Sequence, residues 1–290
     1  MKKEIIEFNL NNKNYPYLLK ETENAPKTLF VRGALPLQDD ICVAIVGTRK
    51  ATSNGRLIAK KIASELVEAG VVVVSGLALG IDTAAHEGAI SGGGKTIAVL
   101  GNGLNQIYPA SNENLARRII ESGGGLISEY SPEIPSYPSN FLERNRIISG
   151  LSVATIVVEA PARSGSLATA RNALEQNREI FVVPGPANHL NYQGSHQLIR
   201  DGARLAVSGK EILEDLGISI KKKINDLATI KSLTKEEKSV FDIIKSSSRP
   251  LSVDKIAELC NIEVRLINQY LSFLMIKGLI KESNRGYLCV

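Results

Sequence analysis

The sequence predicts a doubly wound α/β domain with a mostly parallel sheet, followed by a small C-terminal winged-helix domain. Three observations predict it. From residue 41 to about residue 217, short β-branched runs that are apolar on both faces alternate with helical stretches, as in a parallel sheet covered on both sides. Clusters of Gly, Ser and Thr follow the strands, where such folds hold their ligands. After residue 232, three helix-like segments and a pair of extended pieces close the chain.

The elements follow in order. Residues 1–40 are expected as a short N-terminal segment packing on the main domain, which spans 41–217. Strands are predicted at Ile41–Val46, Val71–Val74, Thr96–Leu100, Leu126–Ser128, Thr155–Val158 and Ile180–Val183. Helices are predicted between and after them. In Gly55–Ala69, Ile58, Ile62 and Leu66 recur on one face and Gly70 stops the helix. The others are Asp82–Ala89, Asn112–Glu121, Phe141–Ser149, Ser166–Gln176 and His196–Asp201. Residues 218–232, with Lys221-Lys222-Lys223, read as a basic, polar linker. Residues 233–290 hold Lys235–Ser246, Val253–Cys260 and Val264–Lys277, with Thr234 and Ser252 as N-caps. The extended pieces Leu279–Glu282 and Tyr287–Val290 flank Asn284-Arg285-Gly286, a turn signal. Three helices and a hairpin make a winged helix-turn-helix.

Composition narrows the function. The 290 residues carry a net charge of +5, but residues 219–290 hold 13 Lys/Arg against 8 Asp/Glu while the first 218 hold 22 of each. An acidic ligand of the large domain must therefore be gripped by locally placed groups, not by a global field. No apolar run approaches the roughly 18 residues of a membrane span, and no signal peptide pattern opens the chain. A cytoplasmic protein is expected. Cys42, Cys260 and Cys289 are too scattered for a disulfide framework or a zinc site.

Several loops invite a phosphate. Gly47-Thr48-Arg49-Lys50 follows the first predicted strand, Ser75-Gly76-Leu77-Ala78-Leu79-Gly80 the second, and Arg163-Ser164-Gly165-Ser166 with Thr169 a later one. Small residues admit a ligand to the backbone, helix N-terminal amides favour anions, and Arg49 and Arg163 add charge-assisted hydrogen bonds. Arg144-Asn145-Arg146 adds two guanidinium groups. Two positions apart, they share a rim only near a helix start.

Three other motifs fail on context. Gly93-Gly94-Lys95-Thr96 precedes a strand and has Ala89 in place of the first glycine of a nucleotide P-loop. Gly101-x-Gly103 lacks the third glycine of a dinucleotide fingerprint, since Gln106 stands there. Asp82 and His86 lie four apart with no further clustered ligands, so Asp82 reads as a helix cap and His86 as an internal hydrogen-bonder. No catalytic group, metal site or cofactor is expected.

Taken in order, Tyr15-Pro16, Ile45-Val46-Gly47-Thr48-Arg49, Ser75-Gly76-Leu77-Ala78, Gly80-Ile81-Asp82, Ala85-His86, Tyr108-Pro109, Arg144-Asn145-Arg146-Ile147-Ile148, Ser164-Gly165-Ser166 and Asp201-Gly202-Ala203 resemble the DprA/Smf family of DNA-processing proteins. The resemblance implies an extended Rossmann-like fold that forms a homodimer, binds single-stranded DNA in a positively lined pocket and hands it to the recombinase RecA in natural transformation. It implies that Arg49 is the pocket arginine, with the Arg144/Arg146 segment in the same region. Gly47, Thr48, Arg49, Ser75, Gly76, Gly80, Arg144, Asn145, Arg146, Ser164, Gly165, Ser166 and Thr169 are therefore the expected DNA- and phosphate-binding residues. One departure is Leu79, where many members carry a basic residue. Two alternatives stay open. Similar folds act as nucleotide phosphoribohydrolases, for which Asp82 or Glu159 would supply the carboxylate. The winged helix alternatively reads duplex DNA through Arg265, Asn268 and Gln269, with Leu266, Ile267, Tyr270 and Leu271 buried.

Overall fold

The computed structural model describes residues 4–218, 233–247, 249–277, 279–283 and 286–289. The chain divides into two compact units, residues 1–221 and 222–290. Of the expected linker only Ile218 is among the described residues; Lys221-Lys222-Lys223 and the tip residues Asn284 and Arg285 lie outside them.

The first unit is built on a nine-stranded sheet in the order β1-β2-β6-β5-β4-β3-β7-β8-β9. Its parallel strands are β3 (Cys42–Val46), β4 (Val72–Ser75), β5 (Thr96–Val99), β6 (Gly125–Ser128), β7 (Ala154–Val157), β8 (Glu179–Val182) and the two-residue β9 (Arg204–Leu205). The chain steps outward from β3 to β6 in one direction, then returns across β3 to lay down β7 and β8 on its other side. The expected doubly wound, mostly parallel sheet is present. The N-terminal segment does more than pack against it: β1 (Ile5–Asn9) and β2 (Thr28–Gly33) extend the sheet as antiparallel strands beside β6. Between them lies a single helical turn, α1 (Tyr17–Lys20).

Continuous apolar strands supply both faces. Val43, Ile45, Val73, Ile156 and Phe181 form one core with Ile62 and Leu66 of helix α2 (Ser53–Glu68). On that face lie α3 (Ile81–Ser91) and α8 (Gly209–Asp215), while α4 (Glu113–Glu121) covers a neighbouring cluster around Leu100, Leu115 and Ile119. The alternate residues, Ala44, Val46, Val74, Val99 and Val157, form the opposite core. They pack with Ile147 and Ile148 of α5 (Pro138–Gly150) and Ala170 of α6 (Gly165–Glu175). Helix α7 (Gln193–Arg200) follows β8. Burying some twenty such side chains per face, at about 1.5–3 kcal/mol each against the exposed state, is what holds the layers together.

The second unit is the expected winged helix. Thr234 and Glu237 form a reciprocal capping box on α9 (Lys235–Ser246), and Ser252 caps α10 (Val253–Cys260) through the Lys255 amide. Asn261 turns the chain in a left-handed conformation (φ 53°) into α11 (Val264–Ile276). The wing pairs β10 (Ile280–Ser283) with β11 (Gly286–Cys289), and Leu251 bridges to Tyr287. Ile267, Leu271 and Leu274 are buried on α11, but Leu266 is not: it is 41% exposed, because the buried stripe steps to Leu274 in place of it. Arg265, Asn268 and Gln269 are exposed as expected.

Candidate functional site

The order of the sheet reverses at β3, where β4 lies on one side and β7 on the other. At such a switch point the loops leaving the two strands part in opposite directions and open a crevice. A cavity of about 340 Å³ lies there, lined by Gly47–Lys50 after β3, by Pro138, Phe141, Leu142, Arg144 and Asn145 of α5, by Pro161, Arg163–Ser166 and Thr169 around the start of α6, and by Ala78 and Asp82 of the β4–α3 junction.

The wall formed by α6 is suited to an anion. Its N-terminus carries no side-chain cap and its first turn holds no acidic residue. The hydroxyls of Ser164 and Ser166 pair with each other at 2.8 Å. The amide ends of a helix with no internal partner attract negative charge. Around this end stand Arg49, Lys50 and Arg163, all exposed. No carboxylate among the described residues pairs with them. The Arg49 guanidinium rests 5.5 Å from the centre of the Phe141 ring, a cation–π contact that holds it at the mouth.

Arg144 forms the floor. It is 4% exposed and donates to the carbonyls of Gly76 (2.8 Å) and Val99, and through Nε to Asn145 Oδ1 (3.2 Å). Asn145 in turn donates to the Gly165 carbonyl at 3.1 Å. Burial lowers the Arg144 pKa to about 10, with the Asp82 charge opposing, so it stays charged at neutral pH. Asp82 is buried beside it and accepts from the amides of Gly76 (3.2 Å) and Ala78 (3.4 Å). Burial raises its pKa to about 6, against the pull of Arg144 and these amides. The expectation that Asp82 caps its helix thus needs amending: it caps the turn before the helix. His86 donates or accepts with Thr96 Oγ1 at 2.7 Å, deep in the core, and its pKa falls to about 3 through burial.

Nine of the expected residues therefore meet at one cavity: Gly47, Thr48, Arg49, Arg144, Asn145, Ser164, Gly165, Ser166 and Thr169. Four do not line it. Ser75 is fully buried and donates to the Ile45 carbonyl. The Gly76 amide is occupied by Asp82, and Gly76 borders a smaller adjoining cleft with Leu79 and Tyr108. Gly80 (φ 85°) packs under the β3–α2 loop, where a Cβ would lie 2.3 Å from the Thr48 carbonyl oxygen; its role is close approach, not ligand contact. Arg146 points the other way and pairs with Glu129. The reason is the helix boundary: Pro138 opens α5 three residues before the predicted start, so Arg144 and Arg146 sit mid-helix, about 200° apart around the axis. Lys50 and Phe141 were not among the expected site residues. Lys50 had a signal, as the neighbour of Arg49 in the same loop; Phe141 had none, since an aromatic at a helix start usually packs in a core.

Neither carboxylate offered for hydrolytic chemistry is free. Asp82 serves two amides, and Glu159 is fully buried, accepting from Thr52, Asn191 and Tyr192. Among the described residues no helix is long and apolar enough to cross a membrane.

Comparison with known proteins gives this geometry its context. Residues 8–217 match the family described as DNA recombination-mediator protein A. The chain is similar to Protein Smf of Escherichia coli, 46% identical over 202 residues that cover 70% of this chain and 54% of that one, so it spans about half the length of that relative. It is also similar to DNA processing protein DprA of Streptococcus pneumoniae, at 42% identity over 72% of this chain and 73% of the relative. The solved structure of that protein superposes with a TM-score of 0.69 over 73% of this chain and 74% of that one. DNA processing protein A of Helicobacter pylori, solved for its single-stranded DNA binding mode, gives 0.66 at 32% identity, over 74% of this chain and 98% of that one. With a cationic crevice at the sheet's switch point and this match over most of its length, the chain belongs to the DNA recombination-mediator protein A family.

Proposed function

We propose that the crevice between β3 and β7 binds single-stranded DNA without cleaving it. The observation that carries this reading is the uncapped N-terminus of α6 with three exposed cations, Arg49, Lys50 and Arg163, around a cavity about one nucleotide in size. Phosphodiesters supply the anion, and the Phe141 ring and Leu142 offer apolar surface beside it. The similarity to the Helicobacter pylori protein, described for its single-stranded DNA binding, supports the same conclusion. Contacts at one such crevice are few, so two protomers gripping one strand would supply the affinity through linkage, and we extend the reading to a cytoplasmic homodimer that helps load RecA on incoming DNA in natural transformation. The set of contacts is Gly47, Thr48, Arg49, Lys50, Arg144, Asn145, Arg163, Ser164, Gly165, Ser166 and Thr169, with Arg146 left out.

The test is anisotropy with labelled oligothymidine and with a duplex of equal length at several salt concentrations. Tighter binding of the single strand is expected, with a log–log salt slope of about −0.7 per phosphate neutralised. Equal affinity for duplex, or release of free base from a nucleoside monophosphate, would overturn the reading. Light scattering checks the dimer, and RecA filament assembly on single strands, with and without the protein, checks the loading step.

A further inference from the structure

The loop carrying Arg49 and Lys50 is tied down along its length by residues that do not line the crevice. We propose that Glu159 and Asn191 are positioning residues, a clamp that fixes this loop so that the Arg49 guanidinium stands over the binding crevice. The inference rests on the reading that the crevice binds single-stranded DNA.

The clamp joins three loops that lie far apart in sequence. Glu159 follows β7, and its main-chain carbonyl accepts from the Thr48 amide at 2.8 Å. Its Oε2 accepts from the Thr52 amide (3.1 Å) and from Asn191 Nδ2 (2.9 Å), and its Oε1 accepts from the hydroxyls of Thr52 and Tyr192. Asn191, from the segment after β8, also donates through Nδ2 to the Lys50 carbonyl at 3.0 Å. Residues 48, 50 and 52 are thus each anchored from beneath, while the side chains of Arg49 and Lys50 stand outward. On the opposite flank the Ile81 amide donates to the Thr48 carbonyl at 3.3 Å.

The chemistry suits a clamp. Burial by itself would raise the Glu159 pKa, but the hydrogen bonds from Thr52, Asn191 and Tyr192 outweigh it and hold the carboxyl below its usual range. An ionised carboxylate with this many donors is a rigid anchor, because each donor lost leaves buried charge less compensated. Gly55 leaves the space that its head group fills: a Cβ there would lie 2.2 Å from Glu159 Oε1. A cation held in place before the ligand arrives loses less conformational freedom on binding than one on a wandering loop. Asn191 is the informative residue, since it is only half-buried and its one Nδ2 links the carboxylate to the loop.

The experiment is a double-mutant cycle on the full chain: the unaltered protein, Asn191→Ala, Arg49→Ala and the double variant, each measured for oligothymidine affinity and for thermal unfolding. Asn191→Ala is expected to weaken binding about three- to tenfold when Arg49 is present, the loss of one hydrogen bond's worth of positioning. In the Arg49→Ala background the same change is expected to cost distinctly less, because only Lys50 of the loop's two cations then remains to be positioned. Asn191→Ser goes through the same cycle, so that a folding defect in one variant does not decide the matter. Equal losses in both backgrounds, or no loss from Asn191→Ala while Arg49→Ala weakens binding, overturn the clamp alone. If Arg49→Ala binds like the unaltered protein, the binding reading falls and takes the clamp with it.

Discussion

Two strand-to-helix junctions of this domain are built alike and end up with opposite electrostatics. At β4–α3 and at β7–α6 a loop with small residues leads from a strand into an 11-residue helix with no side chain capping its N-terminus. Either junction, read for composition, offers backbone amides to an anion. In the first, Asp82 in the opening turn of α3 reaches back to the amides of Gly76 and Ala78. The junction carries its own anion. In the second, no acidic residue occupies the first turn of α6, and the exposed cations Arg49, Lys50 and Arg163 gather at its mouth. The junction waits for an anion from outside. Glycine and serine content makes the cradle; one carboxylate decides whether it is filled internally.

The sharpest way to break this contrast is to empty the first cradle. Asp82→Ala is expected to lower stability by about 2–5 kcal/mol, since it leaves the Gly76 and Ala78 amides without their acceptor. Added inorganic phosphate should then raise the unfolding midpoint of the variant more than that of the unaltered protein. A midpoint equally insensitive to phosphate in both would show that the freed amides do not form an anion site.

Proton linkage separates the filled cradle from the core beneath it. Asp82 holds its proton in the fold up to about pH 6 but in the unfolded chain only up to 3.8. Its contribution to stability is therefore fully present below pH 3.8 and is lost as pH rises to 6, by about 3 kcal/mol. His86 runs the other way: unfolded it binds a proton below 6.5, folded only near 3, so its contribution is present above 6.5 and is lost as pH falls. The two oppose each other across pH 4–6. Urea titrations in that window should show Asp82→Asn gaining stability with rising pH relative to the unaltered protein, and His86→Gln losing it. Slopes of the same sign in both variants would contradict the assignment.

Smaller effects probe the open cradle. Arg49→Ala is expected to weaken oligothymidine binding about tenfold and to flatten the salt slope by about 0.7, one phosphate contact. Arg146→Ala should leave affinity within about twofold while lowering stability by about 1 kcal/mol through loss of the Glu129 pair. A large binding defect there would return Arg146 to the site. The least change expected is a gain: Leu79→Lys puts a cation beside Arg49 and Tyr108, where Leu79 is 47% exposed, and should tighten binding about two- to fivefold at low salt, with a steeper slope.

Much of this was legible in the residues, for identifiable reasons. Runs such as Cys42–Val46 and Val71–Val74 are apolar on both faces because helices cover both sides of the sheet, and that signal survives in a single sequence. The winged helix announced itself through Thr234 and Ser252, whose side-chain oxygens have local partners. The antiparallel strands β1 and β2 did not, because Glu7 and Arg32 interrupt the apolar pattern of strands that are only partly covered. The orientation of Arg146 was hidden by a helix boundary misplaced by three residues, enough to turn a shared rim into opposite faces. Asn191 left no trace at all: its partners, Lys50 and Glu159, are brought to it only by the completed sheet.

The crossing of the chain over β3 bears on how the protein acquires its activity. Val43 pairs with Ala154 and Val46 with Val157, so the two walls of the crevice come from the early and late parts of the domain. Contacts of such long sequence separation form slowly, since a large loop must close before they are rewarded. A nascent chain that has made β3 through β6 holds half a crevice and no grip. During refolding, the recovery of oligonucleotide binding should therefore trail the recovery of helical signal, making the ligand itself a reporter of the last strands to dock.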